Sequence, residues 1–360
     1  MNKFILTLLI GCCGAVLWSA PQIGRTADIR FDYRATGNAA WEKLHVIAVI
    51  YPQMPFSVQA GAILTELQKQ YKNNVEFFVL LPVNTERVRK FAATHPEFDF
   101  TLASDVDLKF LRKLLGRKQD SFFQTSIFNN AGKLLWSGDP ADLSMMLKRI
   151  NEKKYSEREE IRIAALTSSL QAALRSGNAK VIGEAADEIL RLRPEQVSAV
   201  NAKAYSLELS GDIAGLEKFY RSRIKRFPND KGNYLALLEA ATRIGQLNRT
   251  APEIAGEFIQ RFPADKENIN TVLWSLLNAM PYDKNVLKCA VENEKLLTQT
   301  AGLNAHTSGR MLMTRALIAY RRNRGSEALQ LARQALQKTS SPGEKAFVEN
   351  FIEYITFAIK

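Results

Sequence analysis

The 360-residue chain is poor in the residues that carry out redox, metal and disulfide work. It has 3 cysteines, Cys12, Cys13 and Cys289, two of them in the first 13 residues, so no disulfide framework staples the body of the protein. It has 3 histidines, His45, His95 and His306, none with a second ligand type at a metal-binding spacing, and no metal site is expected. Phosphate loops, Gly-x-Ser-x-Gly elbows and Ser/His/Asp sets are missing too, so neither a catalytic residue nor a cofactor is assigned. Proline is absent between Pro96 and Pro140. Positive charge is present, at +12 net, but not gathered: 17 basic residues face 14 acidic ones from Arg25 to Glu152, and 31 face 23 thereafter. A nucleic-acid binder concentrates charge on one face with interleaved aromatics, so a solvated, mildly basic surface is expected and no nucleic-acid partner. What is abundant is apolar residue, 46% against 24% charged, the composition of a folded chain of about two domains.

Residues 1–24 stand apart. Lys3 is followed by no charge until Arg25, Phe4 to Trp18 is almost wholly apolar, and Ser19-Ala20 forms a small-residue exit. That is the layout of a secretory signal peptide, although Pro21 directly after Ala20 hinders cleavage there. Retained, residues 4–24 would attach the chain to a membrane, being close to the ~20 apolar residues a span needs. A third reading is lipidation at Cys12, because Leu9-Ile10-Gly11-Cys12 resembles the bacterial lipoprotein signal. Against it, the apolar run continues through Ala15, Val16, Leu17 and Trp18. All three readings export the chain to the periplasm or cell envelope.

From residue 25 to 152 strand and helix signals alternate, as in an α/β unit. Asp28 to Tyr33 alternates, and Leu44 to Tyr51 and Val75 to Leu81 are continuous apolar runs, suited to strands buried on both faces. Pro55 opens a helical stretch closed by Asn73-Asn74, and Thr85 to Thr94 and Leu108 to Leu115 read as short helices. Gln124 to Phe128 and Lys133 to Ser137 form a hairpin around Asn129-Asn130-Ala131-Gly132, and Asp139-Pro140 starts a closing helix.

This order, with the Ile127 to Leu134 hairpin and the strand-to-helix turn, resembles the thioredoxin fold, in particular the secreted thioredoxin-like proteins of envelope thiol chemistry. The family's turn carries Cys-x-x-Cys at a helix N-terminus, where the dipole and free amides stabilise a thiolate. Here the turn reads Tyr51-Pro52-Gln53-Met54-Pro55-Phe56-Ser57. Setting Pro55 on the family's proline puts Gln53 and Phe56, or Met54 and Ser57, at the cysteine places. The family's cis-proline is missing as well, its place being Phe122-Phe123-Gln124-Thr125. The resemblance therefore implies a thioredoxin-like domain without thiol-disulfide exchange, whose altered turn and Phe122 to Thr125 remain as a contact face. Ser57 as a nucleophile has no identifiable base and reads as a helix cap.

From residue 153 to 360 the signal is helical and repetitive. Gly177, Gly211 and Gly245 are spaced by 34 and 34, Pro194, Pro228 and Pro263 by 34 and 35, and Gly-to-Pro by 17 at Gly177, Gly211 and Gly325. A poorly matching pair follows, Glu267 to Ala279 and Lys284 to Thr298, and Phe347 to Ile359 reads as a cap helix. The period resembles the tetratricopeptide repeat (TPR), a helix pair with a glycine at its inner turn and a proline ending the second helix. It implies an all-α solenoid. By that resemblance the inner wall carries Thr167, Gln171, Leu174 and Arg175, then Asn201, Tyr205, Glu208 and Leu209, then Leu235, Glu239, Thr242 and Arg243. This mixture suits a peptide or protein surface and lacks the Lys/Asn/Lys/Arg clamp with which some relatives hold a C-terminal carboxylate.

Of the remaining candidates, Asp105 and Asp107 suggest a carboxylate pair, but Asp107 before Leu108, Phe110, Leu111 and Leu114 reads more simply as a helix cap. Cys289, within Val286 to Val291, reads as a small buried apolar residue. The expectation is a redox-inactive, exported thioredoxin-like/TPR-like protein that binds a protein or peptide partner in the envelope. The alternative is an envelope oxidoreductase of the thioredoxin family working through Cys289 or a partner's thiol.

Overall fold

The computed structural model describes residues 23–24, 33–34, 43–52, 57–96, 98, 100–106, 125–299, 305–339 and 341–358. Residues 1–22 of the expected leader, Cys12 among them, the Leu108 to Leu115 helix and Asp107 lie outside them, whereas the leader's last residue, Gly24, donates its amide to the Leu134 carbonyl at 2.8 Å. The chain forms two compact units, Met1–Ser210 and Gly211–Lys360.

The first unit is built on a six-stranded mixed sheet. Its strands are β1 (Tyr33–Arg34), β2 (Leu44–Val49), β3 (Val75–Leu81), β4 (Thr101–Ser104), β5 (Thr125–Phe128) and β6 (Leu134–Gly138). Helix α1 (Ser57–Tyr71) links β2 to β3, α2 (Thr85–Thr94) links β3 to β4, and α3 (Leu143–Asn151) follows β6 after a 3-10 turn at Pro140–Asp142. The order across the sheet is β1-β4-β3-β2-β5-β6, with β2, β3 and β4 mutually parallel and β1, β5 and β6 antiparallel to their neighbours. A parallel βαβ core extended by an antiparallel hairpin and closed by a helix is the architecture of a thioredoxin-like domain.

The apolar runs follow from burial on both faces of the sheet. Val46 and Ala48 of β2 and Ile50 just after it join Phe77, Val79 and Leu81 of β3 in a core with Leu64 and Leu67 of α1, Val88 and Phe91 of α2, and Leu143, Met146 and Leu147 of α3. The intervening Ile47, Val49, Phe78 and Leu80 form the opposite face with Ala103, Phe128 and Leu134. Near the first core, the His95 ring stacks on Phe91 at 4.4 Å and on Phe98 at 5.3 Å. Phe98 in turn fills the space beside Gly61, where an added Cβ would collide with its ring.

The rest of the described chain is helical. Helices α4 (Glu157–Ser176), α5 (Ala179–Leu192) and α6 (Val197–Leu209) belong to the first unit with the sheet. The second unit contains α7 (Ile213–Arg226), α8 (Lys231–Arg243), α9 (Ala251–Arg261), α10 (Lys266–Ala279), α11 (Lys284–Asn293), α12 (Ala305–Arg321), α13 (Gly325–Lys338) and α14 (Pro342–Ala358). There α8 packs on α7, α9 and α10, α9 also on α11, and α10 also on α12, a stack of helix pairs.

Chain turns recur at the sequence period. Gly177 (φ 65°) and Gly211 (φ 72°) occupy the left-handed region that glycine enters without strain. Arg193, Phe227 and Phe262, each just before a repeat proline, share similar C-cap backbones (φ −137°, −127° and −126°), and the amide of each returns to the carbonyl four residues back. Gly245 departs from the pattern: Ile244 is the extended C-cap and Gly245 starts a 3-10 turn. Among the described residues no helix is long and apolar enough to cross a membrane.

Candidate functional site

The turn after β2 and the start of β5 are where the thioredoxin resemblance puts a site. Gln53, Met54, Pro55, Phe56, Phe122, Phe123 and Gln124 lie outside the described residues, as does the side chain of Ser57, whose backbone begins α1. Thr125 is buried at the start of β5, where it pairs with Ala48 of β2 and Gly138 of β6. No described peptide bond is cis.

The expected groove residues fall on three helices with one repeating exposure pattern. Thr167, Asn201 and Leu235 are half-buried, as are Gln171, Tyr205 and Glu239 and then Leu174, Glu208 and Thr242, while Arg175, Leu209 and Arg243 are exposed. Tyr205 and Leu174 rest against the apolar cluster of α4 to α6, built on Ile163, Leu170, Ile182, Ala186 and Ile189.

Cys289 is buried in α11. Burial and the nearby charge of Glu292 push its thiol up to about 11, so at neutral pH it is a thiol and not the thiolate that exchange requires. Among the described residues no group of His, Cys, Asp and Glu could hold a metal. An open cavity of about 450 Å³ lies between the C-terminal ends of α1 and α3, lined by Gln70, Tyr71, Asn73, Asn74, Lys148, Asn151 and Glu152.

Sequence reasoning missed a buried polar joint inside the first unit. Arg193 is fully buried, its Nη1 donating to Glu160 Oε2 at 3.0 Å and to the sulfur of Met146 at 3.3 Å, and its Nη2 to Glu159 at 2.7 Å. Arg149 of α3 donates to the same Glu159 carboxylate at 2.9 Å and to Glu195 at 3.2 Å. Burial pushes the Glu160 carboxyl up against the pull of Arg193.

Asp142, 2% exposed, accepts from the Ser198 amide at 3.3 Å and the Ser198 hydroxyl at 2.6 Å, capping α6 from outside its own chain segment. Burial and the Asp139 charge outweigh those hydrogen bonds and raise the Asp142 carboxyl to about 7. A sequence signal existed. Arg193 stands where the neighbouring repeats have Phe227 and Phe262, and Gln196 where they have the capping Asp230 and Asp265. Gln196 makes no side-chain cap, and Asp142 takes that role.

No family model and no curated protein matches the sequence. Solved structures resemble part of it. A Chlorobium tepidum protein assigned as the thiol:disulfide interchange protein DsbE is 20% identical over 31% of this chain and 79% of its own, with a TM-score of 0.27. A Bacteroides thetaiotaomicron protein assigned as a disulfide isomerase is 14% identical over 38% of this chain and 93% of its own, at 0.33. A secreted Mycobacterium tuberculosis disulfide oxidoreductase is 15% identical over 27% of this chain and 69% of its own, at 0.22.

Proposed function

We propose that the chain is an exported, redox-inactive binding module: a thioredoxin-like domain fused to TPR-like helix pairs that holds a protein or peptide partner in the cell envelope. One observation carries the reading. The only cysteine among the described residues, Cys289, lies in the helical second unit, is buried, and has its thiol pushed up to about 11, while no cysteine stands in the sequence between Cys13 and Cys289. Exchange needs an attacking thiolate, and neither the domain with the redox-type fold nor the buried thiol offers one. Stacked helix pairs and the recurring turn geometry support the TPR-like reading, with Thr167, Gln171, Arg175, Asn201, Tyr205, Glu208, Glu239 and Arg243 as the surface that takes the partner. Export rests on the leader's sequence.

Two assays test it. The full chain should not accelerate insulin reduction by dithiothreitol, and Cys289→Ser should change nothing; activity that disappears in Cys289→Ser establishes the oxidoreductase alternative. On an array of envelope-protein peptides, the chain should retain peptides that Tyr205→Ala and Glu239→Ala release. Retention unaffected by both substitutions removes the groove from the reading.

A further inference from the structure

Helix α14 leaves an apolar seam uncovered. Phe347, Tyr354 and Phe357 are 49%, 57% and 83% exposed, and with exposed Asn350 they recur at steps of three, four and three residues. That spacing keeps side chains on one helix face and is the spacing with which one helix packs along another, Asn350 being the single polar member of the seam. Beneath it Phe347 sets its ring edge-on to Trp274 at 5.8 Å, and the hydroxyls of Tyr354 and Tyr320 lie 3.1 Å apart, so the underlying protein holds the aromatics in place. Large aromatics gathered on one exposed helix face mark an interaction surface.

Charge narrows the occupant. Glu349 and Glu353 are exposed beside the seam and make no ion pair among the described residues, in a chain of net charge +12. An acidic rim is repelled by anionic lipid and attracts a basic helix. Helix α4 balances three glutamates with three arginines, but one of its faces is basic. On α4, Arg158, Ile161, Arg162, Ala165, Ser169 and Ala172 form one exposed stripe, with Ile161 52% exposed. Arg158 and Arg162 supply charge opposite to Glu349 and Glu353, and the small Ala165, Ser169 and Ala172 leave hollows for large aromatic side chains.

We propose that the aromatic seam of α14 docks on the α4 face of a second copy of the chain, giving a heterologous, head-to-tail self-association. Each copy then presents one donor face and one acceptor face, so assembly continues until a ring closes or proceeds as a filament.

Charge exchange tests this with substitutions at exposed positions that leave both cores untouched. The full-length wild type should show a weight-average mass in analytical ultracentrifugation that rises at least twofold over monomer with concentration. Arg158→Glu/Arg162→Glu alone, and Glu349→Arg/Glu353→Arg alone, should each remain monomeric. Mixed in equal amounts, the two variants should regain wild-type association, because each then meets its opposite charge on the other. Residues 1–22, common to every sample, cancel in the comparison. Four results overturn the proposal: a wild type that is monomeric throughout, association that survives Arg158→Glu/Arg162→Glu alone, as direct α14 to α14 pairing would give, association that survives Glu349→Arg/Glu353→Arg alone, and a mixture that stays monomeric. Circular dichroism of each variant checks that it is folded, and Phe357→Ser, at the most exposed seam position, should weaken wild-type association at least tenfold.

Discussion

Arg193 and Glu160, 33 residues apart, form a buried ion pair in which the guanidinium is fully enclosed and Nη1 reaches Oε2 at 3.0 Å. The pair joins the start of α4 to the end of α5, and Met146 and Arg149 bring α3, the last helix beside the sheet, into the same network. The sheet and its first helix pair are thereby one polar-anchored body. Desolvating two charges is costly, so such a pair contributes fixed geometry more than stability.

Removing one partner should therefore be far worse than removing both. Arg193→Ala leaves Glu160 buried without its hydrogen-bonded partner, with only the weaker pull of Arg149 opposing its charge, and should lower stability by about 3–5 kcal/mol, read as a reduced urea midpoint. Arg193→Met with Glu160→Leu should recover most of that loss. A double variant no better than the single one would show that packing around Arg193, not charge pairing, sets the cost.

Asp142 should impose a pH slope. Its carboxyl is raised to about 7 in the fold from the usual 3.8, so between those values the native state holds a proton the unfolded chain has released. Stability from this group is full below about pH 4 and is lost as pH rises to about 7, on the order of 1 kcal/mol per pH unit. Asp142→Asn keeps an acceptor for the Ser198 amide and should flatten the slope in urea titrations across that range. An unchanged slope would assign the pH dependence to other groups.

Three glycines at one sequence spacing should respond differently to alanine. Gly177→Ala and Gly211→Ala force a side chain into the left-handed region, at φ 65° and 72°, and should each cost about 1 kcal/mol although nothing lies within 4 Å of the added Cβ. Gly245 has no such φ and an open Cβ direction, so Gly245→Ala should be neutral or slightly stabilising. Thermal melts of the three variants give the comparison.

The Cys289 thiol should be silent until the second unit opens. In a Cys12→Ser/Cys13→Ser background at pH 8, labelling by an aromatic disulfide should follow urea unfolding, not precede it, because burial both covers the sulfur and holds it protonated. Rapid labelling of the folded chain would restore Cys289 as a candidate nucleophile.

Much of the fold was legible because its signals are local. Val75–Leu81 appears at the same limits in sequence and structure, since a strand buried on both faces must be apolar throughout. Glycine at 177 and 211 announced turns that only glycine enters cheaply. Gly245 carried the same mark and a different turn, because spacing is a property of the sequence while backbone angle answers to the packing around it. The break in the repeat at Arg193 and Gln196 was visible, but the partners were not: charged residues are expected at the surface, and the partners of Asp142 and Arg193 stand 56 and 33 residues away.

The sequence by itself determined an α/β segment ahead of a periodic helical one and the absence of a dithiol, because periodicity and composition are properties of neighbouring residues. Tertiary structure alone decided the strand order β1-β4-β3-β2-β5-β6, the capping of α6 by Asp142, the enclosure of Arg193 and the exposure of the α14 seam. Each depends on which distant surfaces exclude water from one another, and burial, unlike propensity, belongs to the assembled chain.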